Sequence, residues 1–124
     1  MGFWNKSKSE NSKDHSSLVN WISLTEASQL IDIIENSHQR PQFIFKHSTR
    51  CGISSMVKGQ FVRNYPFKEE DADLYLLDLL AFRPLSQHIA DEFNVWHESP
   101  QLIVIRNGEV VKHASHGAIL ELDI

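Results

Sequence analysis

The chain has 124 residues and a single cysteine. That shortage excludes an internal disulfide, and it excludes a zinc or iron–sulfur site built from several cysteines of one chain. It fits a reducing compartment. No apolar run approaches the ~18 residues of a membrane span, so no membrane partner is expected. Residues Met1-Gly2-Phe3-Trp4-Asn5-Lys6 lack the apolar core of a signal peptide, and Lys6 stands where a myristoylation site wants Ser or Thr. The expected location is the cytoplasm. Positive charge is also scarce: the net charge is -4 and no basic stretch stands out, which disfavours nucleic acid as a partner. Finally, no Gly-x-Ser-x-Gly turn is present to present a hydrolase serine.

What is present is ordinary globular material. At 41% hydrophobic and 23% charged, it can fill one modest core, so one domain is expected. Residues 1–16 are rich in Ser, Lys and Asn and read as a flexible extension, with Phe3 and Trp4 as apolar exceptions able to dock on a surface. The domain then covers 17–124.

Along the domain, Leu18 to Ile22 reads as a first strand. Thr25 suits an N-cap, and Leu30, Ile31, Ile33 and Ile34 suit one buried helix face. Pro41 stops that helix, and Gln42 to Lys46 reads as a central strand. A second helix is expected from Gly52 to Arg63, burying Ile53, Met56, Val57 and Phe61. The run Asp73 to Leu79 suits a strand covered on both faces. Pro84 opens a third helix that ends near Asn94, with Leu85, Ile89 and Phe93 inward. A strand follows Ser99-Pro100, Asn107-Gly108 marks a type I′ hairpin, and Glu109 to His113 returns. Ala118 to Leu122 forms a short final helix. The order is β-α-β-α-β-α-β-β-α. An α/β fold is expected, with a central mixed sheet flanked by helices.

Cys51 falls between the second strand and the second helix, inside Phe45-Lys46-His47-Ser48-Thr49-Arg50-Cys51-Gly52-Ile53-Ser54. A free cysteine is usually a buried filler. Polar neighbours on both sides argue instead for a reactive thiol. A helix N-terminus favours an anion, and the thiolate is the nucleophilic form. His47 either tunes that thiolate or points into the sheet as a satisfied polar residue. Arg50 is suited to clamping a carboxylate bidentately, and Lys46 is a weaker candidate for the same role because a strand-end lysine is usually solvated. Trp96 and His97 could wall one side of the site. Glu69-Glu70-Asp71 with Asp73 reads as a solvated turn. The seven histidines, His113 and His116 included, make no ligand set, and no metal site is expected. Ser99-Pro100, taken alone, reads as a trans proline opening an edge strand.

Element order, cysteine and proline together resemble the thioredoxin fold. The string from Lys46 to Cys51, followed by Ile53-Ser54, resembles the signature of the monothiol bacilliredoxins, the YtxJ-like or BrxC proteins of the bacterial bacillithiol redox-homeostasis system. The resemblance covers about Trp21 to Gly117. It implies a thiol–disulfide oxidoreductase in which Cys51 attacks a mixed disulfide between bacillithiol and a client protein. Ser54 stands where a dithiol relative carries its resolving cysteine, so resolution must come from a low-molecular-weight thiol or an external disulfide reductase. No cofactor is bound permanently, and bacillithiol acts as a thiol co-substrate. The resemblance also implies that Pro100 is cis and faces the cysteine, with the Ser99 backbone bonding the client or thiol. Lys46, Thr49, Arg50, Gly52, Ile53, Ser54, Ser99 and Pro100 are the implied binding residues. One departure is Gly52, where the family commonly has proline. It makes Cys51-Gly52-Ile53-Ser54 similar to the Cys-Gly-Phe-Ser motif of monothiol glutaredoxins, whose members share an iron–sulfur cluster in a dimer. That is the alternative reading, and a third is a non-catalytic interaction module on the same fold.

Overall fold

The structure is a computed structural model that describes residues 19–124. The extension expected at 1–16 and Leu18 of the first strand lie outside the described residues. The elements, in order, are β1 (Trp21–Ser23), α1 (Gln29–Asn36), β2 (Gln42–His47), α2 (Gly52–Asn64), β3 (Asp73–Asp78), α3 (Arg83–Phe93), β4 (Gln101–Arg106), β5 (Glu109–Ser115) and a terminal 3₁₀ helix (His116–Glu121). The last element is the tighter 3₁₀ form of the short helix expected there.

One five-stranded sheet runs β1-β3-β2-β4-β5. β1 and β2 both pair parallel with β3, whereas β4 pairs antiparallel with β2 and β5 antiparallel with β4. β2 is therefore central, with all six of its residues buried. The period-2 alternation of the strands divides the core into two layers. Ile44, Tyr75, Leu77, Ile103 and Ile105 face Leu30 and Ile33 of α1 and Leu85 and Ile89 of α3. Phe43, Phe45, Leu74, Leu102 and Val104 face Val57 and Phe61 of α2 and Ile119 of the 3₁₀ helix.

Local chemistry explains the boundaries. Thr25 does not cap α1. The N-cap is Ser28 without a side-chain bond, and the Gln29 side chain instead accepts from the N–H groups of Thr25 and Glu26 at 2.8 and 3.0 Å. Ile31 of that helix is exposed, so the buried face is narrower than expected. α3 ends on Asn94 in the left-handed region at φ 55°, a conformation asparagine tolerates better than most residues. Asn107 and Gly108 have φ of 53° and 78°, the type I′ pattern that matches the twist of β4 and β5. Their N–H groups donate to the Ser37 carbonyl and Ser37 Oγ, both at 2.8 Å, pinning the hairpin to the end of α1.

Asp73 does not belong to a solvated turn. It bonds Arg40 Nε at 3.0 Å and Gln42 Nε2 at 2.8 Å, closing the ends of β2 and β3 remote from Cys51. A cavity of about 750 Å³, lined by residues including Tyr65, Phe67 and Leu74, lies at this remote end.

Candidate active site

Register brings the two sequence-distant halves of the site together. Lys46 pairs with Gln101 across β2 and β4. The end of β2 and the start of β4 thus share one edge of the sheet. From that edge the chain leaves β2 through Ser48-Thr49-Arg50 to Cys51, and enters β4 through Ser99-Pro100. The Ser99–Pro100 peptide is cis and Pro100 is buried. Because β4 lies between β2 and β5, the edge-strand reading of this proline does not hold.

Cys51 is the N-cap of α2, with extended backbone at φ -103° and ψ 117°. Its carbonyl accepts the first helical bond from Ser55 N–H at 3.1 Å, and its own N–H donates to Ser48 O at 3.1 Å. The side chain is half-buried and the thiol is free. The first-turn amides around an N-cap have no helical acceptors, which is where an anionic sulfur is stabilised. Thr49, Arg50 and Gly52 are exposed around it.

Ile53 and Met56 are not core residues. They are 58% and 59% exposed. The contacts of Val57 and Phe61 with the aromatic side of β2 set the rotation of α2, and Ser54 and Val62 share the buried face. An apolar step beside the thiol results.

Ser54 is fully buried beneath the loop. Its Oγ accepts from Ser48 N–H at 3.2 Å and lies 2.7 Å from His47 Nδ1. The set is satisfied when Ser54 donates to Nδ1 of a neutral imidazole. Burial, with Lys58 adding to it and Asp78 opposing, pushes His47 below its ordinary pKa, in agreement. Of the two readings of His47, the satisfied polar residue under the sheet is the one observed. It joins the end of β2 to the first turn of α2 and so fixes the loop before Cys51.

Lys46 is neither a solvated strand end nor a surface clamp. Alternation turns it to the opposite face from His47, where α3 and the segment after it cover the end of the central strand, and it is 0% exposed. Its Nζ donates to Ser86 O at 3.2 Å and lies 3.4 Å from His97 Nδ1. No described carboxylate pairs with it. Burial alone lowers its pKa from 10.5 to about 8. His97 is half-buried and bonded to Ser86 Oγ at 2.9 Å, and its pKa is lowered by burial, Lys46 and Arg83 against Glu98.

Two comparisons bear on this geometry. The family model for monothiol bacilliredoxin BrxC matches residues 22–124. The chain belongs to that bacilliredoxin family. Among solved structures, it is similar to a thioredoxin-fold protein to which oxidoreductase activity is ascribed, at 35% identity and a TM-score of 0.71, covering 86% of this chain and 91% of the other. It is also similar in fold to the reduced thioredoxin pre-protein of Schistosoma mansoni, at 21% identity and TM-score 0.61, over 83% and 91% of the two chains. The thioredoxin of Trypanosoma brucei brucei matches at 13% and 0.61 over 80% of each. This bacilliredoxin thus has a thioredoxin fold, and family and fold together support a thiol-redox function.

Sequence reasoning placed Cys51, Ser54 and Pro100 at one site; the structure puts Cys51 and Ser54 at the start of α2 and cis-Pro100 just before β4, the strand next to β2. It missed Ser86 and Gln101. A buried serine inside an amphipathic helix and a glutamine opening a strand give no local signal. Only the pairing of Lys46 with Gln101 and the bond from Lys46 Nζ to Ser86 O show that both belong under this edge.

Proposed function

We propose that this bacilliredoxin removes bacillithiol from client proteins through Cys51. The thiolate attacks the bacillithiol sulfur of a mixed disulfide. A bond forms between Cys51 and bacillithiol as the client–bacillithiol bond breaks, and the client leaves as a thiolate that takes a proton from water. A second thiol then attacks the Cys51 adduct, releasing Cys51 and carrying bacillithiol away as a new disulfide. No net redox change falls on Cys51 over the cycle. The observation that carries this reading is a lone, half-exposed cysteine at the N-cap of α2, with a buried serine, already hydrogen-bonded to His47, where a second thiol would resolve it.

In this reading Thr49, Arg50, Gly52 and Ile53 meet the incoming disulfide, with Arg50 taking a carboxylate of the small thiol. The backbone of Ser99 beside cis-Pro100 bonds the client chain. The partners are S-bacillithiolated proteins, a low-molecular-weight thiol and an external disulfide reductase, all in the cytoplasm. The test is to incubate a bacillithiolated protein with the chain and titrate the client thiol. Release by the wild type and none by Cys51→Ser is expected. Release by both, or by neither, overturns the reading. The alternative shared iron–sulfur site draws on the Cys51-Gly52-Ile53-Ser54 string, and anaerobic reconstitution with a small thiol separates the two: a coloured dimer would favour it.

A further inference from the structure

Exchange at Cys51 makes no use of Lys46, yet the fold keeps an ammonium buried with no carboxylate partner among the described residues, an expensive arrangement. Its surroundings indicate what is gained. Lys46 Nζ and Ser86 Oγ both converge on His97 Nδ1, at 3.4 and 2.9 Å. Lysine can only donate there, so Nδ1 acts as acceptor on a neutral ring. Gln101, opposite Lys46 in the sheet and buried, donates Nε2 to the Trp96 carbonyl at 2.8 Å. Side chains from β2, α3 and β4 therefore grip two consecutive residues, Trp96 and His97. That segment runs directly into Ser99-Pro100, at the sheet edge from which the chain passes to Cys51.

The gripped segment presents an unusual surface. Trp96 is 87% exposed while its carbonyl is tied down. Beside it lies a cavity of about 500 Å³, lined in part by Ala90, Asp91, Val95 and His97. A tryptophan held by a rigid backbone is the kind of side chain that anchors protein contacts, because it offers large apolar area at little cost in conformational freedom.

We propose that Lys46, Ser86, His97 and Gln101 form a buried polar clamp that fixes the segment from Trp96 to Pro100, and that Trp96, so held, contacts the client polypeptide flanking the mixed disulfide. The four are positioning residues. They govern exchange with disulfides carried on a polypeptide and not with small disulfides, which reach Cys51 without touching Trp96. The proposal rests on the reading of Cys51 given above.

The experiment compares two probes. One is Ellman's reagent, a small aromatic disulfide. The other is an unstructured peptide with one central cysteine, bacillithiolated. Trp96→Ala, on the surface, and Lys46→Met, in the clamp, are each expected to slow exchange with the peptide about tenfold, an anchor-sized effect, and to leave the rate with Ellman's reagent within about twofold. Should Lys46→Met not fold, Ser86→Ala carries the same expectation. An unchanged peptide rate in either variant, or equal slowing with both probes, overturns the proposal. A wild-type thiol inert to both probes overturns the reading of Cys51 instead.

Discussion

Replacing Lys46 with Met should stabilise the protein, and the gain should disappear in alkali. Lys46 is fully buried with a folded-state pKa of about 8, against 10.5 when solvated. The difference of 2.5 units corresponds to roughly 3 kcal/mol of ionisation penalty below pH 8. Methionine keeps an unbranched apolar chain of similar length and carries no charge. It gives up the bonds to Ser86 O and His97 Nδ1, at about 1 kcal/mol each, although Ser86 Oγ still serves Nδ1. The net expectation at pH 7 is a gain of about 1–2 kcal/mol. The sign of the pH dependence follows from proton counting. Between pH 8 and 10.5 the unfolded chain holds a proton on Lys46 that the folded chain has released, so the wild type gains stability as pH rises through that window. The variant lacks this gain and its advantage shrinks. Tyr65, pushed up to about 12 chiefly by burial and further by Asp73, titrates in both proteins and cancels in the difference. Urea unfolding of both proteins at pH 7, 9 and 10.5 reads the effect. A variant less stable at pH 7, by an amount constant across all three pH values, would refute the reasoning and mean that the buried ammonium is well compensated.

Gly52→Pro should raise stability by about 0.5–1 kcal/mol in urea unfolding, because proline is favoured at the first helical position and restricts the unfolded chain; Cys51 already has the extended backbone that a following proline requires, and a Cβ at Gly52 meets no atom within 4 Å. Ser54→Ala should cost about 1–3 kcal/mol by the same measurement, since it leaves Ser48 N–H and His47 Nδ1 without their bonds in a buried place; a loss near zero would mean that water replaces the hydroxyl. His47 and His97 both have their pKa lowered, chiefly by burial, so the unfolded chain takes up more protons as pH falls through ~6.5 and stability should fall with it. In the double variant His47→Asn, His97→Asn that slope should flatten, and an unchanged slope would place the acid sensitivity elsewhere.

Periodicity made most of the fold legible. The apolar run of Asp73 to Leu79, the Asn107-Gly108 turn and the Pro84 helix start each carry a local signal, and all three elements formed where expected. Cys51 was legible because its polar neighbours contradict a filler role. What could not be read locally was orientation around an axis and depth beneath a surface. In α2, Ile53 and Met56 fit an apolar stripe as well as Val57 and Phe61 do. Only the aromatic side chains of β2 decide which stripe turns inward. Lys46 and His47 are adjacent polar residues at a strand end, and nothing local says that tertiary cover will bury both on opposite faces. The cis state of Pro100 likewise required the fold, since an X–Pro pair permits either isomer.

Removal of bacillithiol from clients requires the sulfur of Cys51 to exchange with a bacillithiol disulfide and to be set free again by a thiol. Intact mass of the native protein after exposure to bacillithiol disulfide, before and after adding a reducing thiol, measures both steps at once. One bacillithiol adduct, absent in Cys51→Ser and removed completely by the thiol, is expected. An unmodified protein, or an adduct that added thiol leaves in place, would contradict it.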